Sequence, residues 1–189
     1  MKKLKISQKI VNRLLPADLQ LNQDIYVLYE TEISQFHCNN CGKCCNLRQS
    51  QNSVRNNSFA VVLCDLDINR LAKADESLLR FLKPATLRNT AETVILIEKI
   101  DKKCPFFDQK TNLCKIYEKR PYVCRVFPYI FKIKGEHTFQ VNLNPESPCS
   151  SECFGLSIIS PKEIAKIFIW AFVLNKRRKL GEKIWKKVQ

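Results

Sequence analysis

The sequence predicts an α+β fold, a small single domain that combines irregular cysteine-rich loops with a few short strands and flanking helices. A length of 189 residues corresponds to one domain. Short β-branched or alternating runs are typical of strands, and a capping signal near the C-terminus begins a helix. Apolar residues make up 45% and charged residues 26% of the chain, a balance that excludes the disordered and coiled-coil classes.

The N-terminal half is expected to alternate between helix and strand. Apolar residues at a loose helical spacing predict a helix over residues 4–15. Residues 25–36 are expected to be extended, and residues 59–63 form a short apolar strand candidate. Leucines recur near helical spacing from 65 to 82, which predicts a helix that ends ahead of Pro84.

Two strand signals follow in the second half of the chain. The β-branched run Val94–Ile97 predicts a buried strand. Residues 129–141 alternate around Lys134 and Gly135, a pattern that predicts a hairpin or at least a turn.

The last element has the clearest start signal. Ser160 is placed at the N-cap, Pro161 at the first helical position and Glu163 at the third, which together form a capping box. Residues 164–174 are about half of the roughly 20 needed to span a bilayer, so no transmembrane span is predicted, and a buried helix is favoured over a membrane-surface helix. The basic run 176–179 is expected to mark where the chain returns to water.

These signals divide the chain into three parts, with no repeat or low-complexity linker between them. Residues 1–33 are expected to form a basic N-terminal helix and a strand. Residues 34–156 are expected to form the cysteine-rich domain, and residues 160–189 a basic C-terminal helix packed on that same domain.

The net charge of +14 comes mainly from the two ends of the chain. Residues 1–13 contain five basic and no acidic side chains, and residues 162–189 contain nine basic and two acidic ones. A basic end can bind nucleic acid or anionic lipid, and it can equally be the solvated face of a helix.

The interpretation of the cysteines depends on whether the protein is in an oxidising or a reducing cellular compartment. The basic N-terminus lacks the apolar core of a secretory signal, because Asn12 and Arg13 interrupt it. We therefore expect a cytoplasmic protein, in which thiols stay reduced and clustered cysteines favour metal or redox chemistry over disulfides. None of the four glycines lies close enough to another for a Gly-rich nucleotide loop.

Nine of the ten cysteines fall into three groups and are the candidate metal ligands. In the first group, two-residue spacers around Gly42 let thiolates converge on one centre. The fold is therefore expected to surround a metal centre. The candidates are Cys38, Cys41, Cys44, Cys45, Cys104, Cys114, Cys124, Cys149 and Cys153. Cys64, which ends an apolar run, is expected to be a small buried hydrophobe.

The spacing leaves the identity of the metal open. Cys-x2-Cys-x2-Cys matches the start of a bacterial ferredoxin run, but Arg48 stands where the fourth cysteine would fall. A remote Cys-Pro, Cys104-Pro105, could supply the missing ligand. This favours an iron–sulfur cluster of the [4Fe–4S] type. Zinc, or a mixed centre, stays open because the nine thiols leave room for two sites.

Charged and aromatic residues surround these cysteines in the sequence. Arg120 and Arg125 flank Cys124 and are candidate cofactor-binding residues, since cations near a thiolate-rich centre offset its negative charge. Tyr117 is expected to pack in the core, and His137 to be exposed. The sequence assigns no catalytic residue, because it has two histidines and neither belongs to a catalytic motif.

The cysteine motifs resemble a known family. The segments 36–45, 104–107 and 114–128 are similar to the CxxCxxCC family, the putative zinc- or iron-chelating domain of YkgJ-type cysteine cluster proteins. The similarity covers about residues 34–156, and Asp67–Ala72 resembles the helix that such proteins place between their cysteine groups. The resemblance implies iron–sulfur or zinc binding. Family members are often labelled iron–sulfur oxidoreductases, and a similar cysteine domain occurs in flagellin lysine N-methylase.

Three functional hypotheses follow. In the first, the cysteine cluster binds an iron–sulfur cluster or zinc and serves redox or electron transfer, with a redox or protein partner. In the second, a structural-zinc module uses its basic ends to bind nucleic acid or an acidic partner. In the third, the chain is an accessory module similar to the cysteine domain of flagellin lysine N-methylase, an analogy at the level of the family alone.

Overall fold

A computed structural model describes residues 1–30, 34–36, 42, 45, 61–86, 92–98, 100, 103–145, 147 and 154–188. Its mixture of helices and strands confirms the α+β prediction. The chain forms two compact units. Unit 1 consists of Met1–Asn39 and Arg125–Val173, and unit 2 consists of Asn40–Cys124 and Leu174–Gln189.

Four helices and eleven strands make up the described part of the chain. The helices are α1 (Gln8–Asn12), α2 (Asp65–Ala74), α3 (Tyr122–Val126) and α4 (Pro161–Val188). The strands are β1 (Lys2–Ile6), β2 (Ile25–Tyr29), β3 (Ser34–Phe36), β4 (Val62–Leu63), β5 (Leu82–Thr86), β6 (Thr93–Ile97), β7 (Phe107–Asp108), β8 (Leu113–Cys114), β9 (Tyr129–Gly135), β10 (Thr138–Leu143) and β11 (Phe154–Ile158). Short 3-10 helices cover Ala17–Leu19, Glu76–Phe81 and Tyr117–Lys119.

Unit 1 is built on a four-stranded sheet with the order β1-β2-β10-β9. Strands β2 and β10 are parallel, and the two outer pairs are antiparallel. The antiparallel pair β9–β10 confirms the hairpin predicted around Lys134 and Gly135. Strands β3 and β11 form a separate antiparallel pair.

The core of unit 1 lies between this sheet and the first half of α4. Val27 and Val141 are buried on the sheet. The Phe168 ring of α4 lies 4.8 Å from that of Phe139, and the Phe172 ring lies 6.3 Å from Phe139, centroid to centroid. Each such aromatic pair stabilises the fold by about 0.5–1.5 kcal/mol beyond the area it buries.

The helix predicted over residues 4–15 is wrong in its first half, where β1 forms instead. Leu4 and Ile6 point inwards while Lys3 and Lys5 are exposed, which is the alternation of a strand. The backbone of β1 pairs with β2, a contact far along the chain that local spacing does not reveal. Only Gln8–Asn12 is helical in this segment.

Unit 2 contains a three-stranded antiparallel sheet with the order β4-β6-β5. The central strand β6 confirms the buried strand predicted at Val94–Ile97, and Val94 and Ile95 are fully buried. The predicted strand at 59–63 is found at Val62–Leu63, while residues 59 and 60 lie outside the described residues.

The helix predicted over residues 65–82 ends earlier, at Ala74. Asp75 adopts an extended backbone with φ −169°. Its Oδ1 accepts a hydrogen bond of 2.9 Å from the Ser77 N–H, so the carboxylate caps a new 3-10 helix, Glu76–Phe81. Leu82 then begins β5. A capping side chain within a helical pattern therefore divides the segment.

Helix α4 begins as predicted. The Glu163 N–H donates to Ser160 Oγ over 3.2 Å, which is the N-cap contact of the capping box. Ile164 and Phe168 are buried, in line with the apolar run. Among the described residues, no helix is long and apolar enough to cross a membrane.

The second half of α4 belongs to unit 2, where it packs closely on the start of α2. A Cβ at Gly181 would lie 2.8 Å from the Leu63 carbonyl oxygen, so only glycine lets the helix backbone approach this far. Trp185 joins the buried core of unit 2, which also contains Phe106 and Ile116.

The expectation that residues 176–179 mark the return to water is wrong at the two central positions. Arg177 donates from Nε to Asp65 Oδ1 over 2.8 Å, and a second bond joins Nη2 to Oδ2. The two side chains are only 12% and 7% exposed. Arg178 makes a two-bond pair with Glu92, with both distances at 3.1 Å. Both guanidinium groups therefore form ion pairs with carboxylates of unit 2, whereas Lys176 and Lys179 are exposed.

Candidate metal centre

Four of the nine predicted ligands lie in the described part of the chain, and all four belong to unit 2. They are Cys45, Cys104, Cys114 and Cys124, and each is partly buried. The other five predicted ligands lie outside the described residues; these are Cys38, Cys41, Cys44, Cys149 and Cys153.

The first and second cysteine groups meet at Cys45 and Cys104. The Cys104 N–H donates to the Cys45 carbonyl oxygen over 3.0 Å. A backbone hydrogen bond of this length holds the two residues side by side, although many residues separate them in sequence. Cys45 and the Cys104-Pro105 turn are therefore neighbours within unit 2.

Gly42 gives the first loop its turn. Its backbone has φ +67°, and its carbonyl oxygen accepts from the Cys45 N–H over 3.0 Å. A Cβ at this position would overlap the Phe107 ring. Gly42 is thus pressed against Phe107, the aromatic side chain that follows Cys104 in the second group.

Replacing Gly42 with Ala should destabilise unit 2 by about 2 kcal/mol, because the new methyl group requires both a left-handed backbone and a displaced Phe107 ring. The loss is measured by urea unfolding. Gly135→Ala is the matched control, since the nearest atom to a Cβ there would be 3.8 Å away and its φ is not positive. Equal losses for the two variants would contradict this packing.

Cys104 and Cys114 are joined through a short hairpin. The Phe107 N–H donates to the Cys104 carbonyl oxygen over 3.1 Å, and Phe107 pairs with Cys114 across β7 and β8. Phe106, 2% exposed, anchors this hairpin in the core of unit 2. Both cysteines pack against that core, so the hairpin holds the two sulfur-bearing residues on a rigid support.

Cys124 lies on helix α3, and α2 holds the segment that leads into it. The Tyr122 N–H donates to Asp67 Oδ1 over 3.1 Å. Arg70 Nη2 donates to the Arg120 carbonyl oxygen over 3.0 Å. Sequence reasoning assigned no role to Asp67 or Arg70, and the only signal available was their place in the Asp67–Ala72 segment that resembles the family.

The two arginines predicted to bind a cofactor have aromatic neighbours. The Arg120 guanidinium lies 3.7 Å from the Tyr117 ring centroid, and its Nε donates to the Tyr117 carbonyl oxygen over 3.0 Å. Arg125 lies 5.9 Å from the Trp170 ring. The prediction that Tyr117 packs in the core is wrong, because this residue is 37% exposed and carries Arg120 on its ring.

The prediction that Cys64 is a small buried hydrophobe is confirmed, since this residue is fully buried at the N-cap of α2. Its Sγ donates to Asp67 Oδ2 over 3.5 Å. Burial, followed by the nearby Asp67 charge, raises the pKa of Cys64 to about 12. The thiol therefore stays protonated and non-nucleophilic at neutral pH.

This raised pKa predicts a loss of stability in alkali. The unfolded thiol ionises near its ordinary pKa of 9.0, and the folded thiol has a pKa of about 12. The stability that depends on the protonated Cys64 thiol is therefore fully present below pH 9. It is lost as pH rises towards 12, by up to about 1.4 kcal/mol per pH unit. The free energy of unfolding of Cys64→Ser should decline less steeply than that of the wild type between about pH 9 and 11. Parallel curves would contradict the assignment.

The donor chemistry of this region suits a thiophilic metal. The predicted ligands that the structure describes all offer sulfur, the ligand type that zinc and iron–sulfur clusters prefer. Within the described ranges, no group of three Cys, His, Asp or Glu side chains could hold a metal ion.

His137, predicted to be exposed, is half-buried in unit 1, and its carbonyl oxygen accepts from the Tyr26 N–H over 2.8 Å.

Comparison with known proteins places the chain in a family. Uncharacterized protein MJ0661 of Methanocaldococcus jannaschii is 31% identical over 100 residues. The match covers 53% of this chain and 48% of the relative, so the chain spans about half the length of the curated relative it matches. No solved structure matches the chain. The model of the CxxCxxCC family, described as a "putative zinc- or iron-chelating domain", matches residues 37–150, more than half of the chain, and the protein therefore belongs to this family.

Proposed function

We propose that the chain binds a [4Fe–4S] cluster through its cysteine groups and serves one-electron transfer in the cytoplasm. The observation that supports this most directly is the backbone hydrogen bond between Cys45 and Cys104. It joins Cys45, the residue that follows the ferredoxin-like run in the sequence, to the remote Cys-Pro that would complete the ligand set of that run. The family description supports the coarser conclusion, zinc or iron binding.

The ligands of this proposal come from the three cysteine groups. Cys38, Cys41 and Cys44 supply the regular run, and Cys104 supplies the ligand missing at position 48. Cys45, Cys114, Cys124, Cys149 and Cys153 are the remaining candidates. When bound, an iron–sulfur cluster supplies a site that accepts and releases one electron.

The protein's own residues shape the surroundings of these sulfurs. The core around Phe106 excludes water on one side of the Cys104–Cys114 hairpin. A thiolate-rich site carries negative charge, and Arg120 and Arg125 next to Cys124 offset it in this proposal. A protein sets the reduction potential of such a centre by burying it and by placing fixed charges near it.

Metal analysis of protein purified without oxygen tests the proposal. Iron and acid-labile sulfide in equal amounts, with broad visible absorption that bleaches on addition of dithionite, are expected. Cys104→Ser should lose the absorption, whereas Cys64→Ser should keep it. Colourless protein with stoichiometric zinc would replace the iron–sulfur assignment with a zinc centre. Protein without stoichiometric metal would overturn both.

Binding of nucleic acid through the basic ends has weaker support. Arg177 and Arg178 are held in ion pairs by Asp65 and Glu92, and Lys5 pairs with Asp24 over 3.0 Å. Three of the cations that would contact phosphates therefore already have carboxylate partners. The accessory-module hypothesis is supported by the resemblance to flagellin lysine N-methylase alone.

A further inference from the structure

We propose that Asp67 and Arg70 of α2 are positioning residues that fix Cys124 in the orientation of a metal ligand. This inference rests on the proposed function and takes Cys124, one of its remaining candidate ligands, as a ligand of a thiolate metal site. Neither residue is a metal ligand in the proposal. Both act through the backbone of residues 120–122, directly ahead of the cysteine.

The Asp67 carboxylate is the centre of this arrangement. It is fully buried and accepts hydrogen bonds from the Cys64 N–H over 3.3 Å, from the Tyr122 N–H over 3.1 Å and from Arg70 Nη2. The Cys64 thiol donates a further bond over 3.5 Å. One side chain thus ties the start of α2 to the start of α3.

Arg70 fixes the same segment from its other side. Its Nη2 donates both to Asp67 and to the Arg120 carbonyl oxygen, and its guanidinium lies 5.0 Å from the Tyr122 ring centroid. The segment is therefore held at Arg120 and at Tyr122, on both sides of the buried Pro121. The proline ring fixes φ between the two anchors.

These anchors determine where the Cys124 side chain points. Helix α3 begins at Tyr122 and has only five residues, so its rotation follows from the backbone that enters it. A metal ligand must keep its distance to within about 0.2 Å. A hydrogen-bonded entry into α3 meets that need, whereas apolar packing alone would permit small rotations.

A second buried ion pair on the same helix provides the matched control. Asp65 is two residues before Asp67, is 7% exposed and pairs with Arg177 of α4. The Asp65–Arg177 pair joins α2 to α4, and its two hydrogen bonds do not involve residues 120–122. A merely structural role for Asp67 predicts that Asp67→Asn and Asp65→Asn behave alike.

The experiment loads the full-length chain with Co²⁺ and measures two quantities well below each variant's unfolding temperature. They are the thiolate-to-Co²⁺ charge-transfer spectrum and the affinity from competition with a chelator. Asp67→Asn should shift the spectrum and weaken Co²⁺ binding about 10–100-fold, as for other residues that orient metal ligands. Asp65→Asn should lower the unfolding temperature but keep the wild-type spectrum. It should change the Co²⁺ affinity less than about threefold, because the residues that orient the metal ligands are still in place in this variant.

Arg70→Lys keeps the proposal testable if Asp67→Asn does not fold. The lysine can still pair with Asp67, but its single ammonium cannot reproduce the planar two-way contact, so an intermediate loss of affinity is expected. If Asp67→Asn and Arg70→Lys match Asp65→Asn in both readouts, the positioning role is overturned. Wild-type protein without a thiolate-to-Co²⁺ band would also overturn the inference, because Cys124 would then have no metal to hold. The iron–sulfur proposal fails separately, on the iron and acid-labile sulfide analysis described above.

Discussion

Cys104→Ser is expected to abolish stoichiometric metal binding and to lower the free energy of unfolding of unit 2 more than any apolar core substitution. Binding of a structural metal contributes on the order of 10 kcal/mol to folding, and a serine oxygen is a poor substitute for a thiolate. The side chain is only partly buried and similar in size to serine, so the packing change alone costs little. Urea unfolding in the presence of stoichiometric metal measures the loss.

Two controls separate ligation from packing. Cys64→Ser should cost no more than about 1–2 kcal/mol, because serine is a better N-cap than cysteine and its hydroxyl can donate to Asp67. A chelator should destabilise the wild type to the level of Cys104→Ser and should leave that variant unchanged. Equal losses for the two serine variants, or a further effect of chelator on Cys104→Ser, would count against Cys104 as a ligand.

Local signals in the sequence were sufficient for several elements. The β-branched run that became β6, the β9–β10 hairpin and the N-cap of α4 each depend on residues within one turn or one strand. Their chemistry is decided by neighbours in sequence, such as the Ser160 oxygen and the Glu163 N–H. Hydrophobic periodicity and capping residues report this directly.

Elements that depend on distant partners were not predictable in the same way. The segment from 2 to 6 has both a loose helical spacing and a strand alternation, and pairing with β2 decides between them. The basic run 176–179 resembles a solvated helix face until Asp65, 112 positions away, is brought against Arg177. Tertiary context overrides local pattern at both places.

The residues of the candidate site differ in the same way: some could be predicted from the local sequence and others could not. Spacing and residue type were enough to nominate the cysteines, because thiolates at short intervals have few other uses in the reduced compartment that the sequence predicts. Asp67 and Arg70 carry no such signal. Their contacts to Tyr122 and Arg120 cross 55 and 50 positions, so only the folded chain reveals which backbone they hold.

Arg177→Ala is expected to lower the free energy of unfolding by about 3–5 kcal/mol, because it removes the guanidinium that faces the buried Asp65 carboxylate. Lys179→Ala is the matched control, since it removes a charge of the same sign from an exposed position two residues along the same helix. That variant should change the free energy by no more than about 0.5 kcal/mol. Chemical unfolding at constant ionic strength measures both.

The double variant Asp65→Leu with Arg177→Met distinguishes a lost pair from a stranded charge. Replacing both charged partners with apolar groups of similar volume is often neutral for stability, so this variant should recover much of what Arg177→Ala loses. A double variant as unstable as Arg177→Ala would show that the pair itself stabilises the contact between α2 and α4. If Arg177→Ala were as mild as Lys179→Ala, the basic run would be a solvated face after all, and its cations would again be available to an anionic partner.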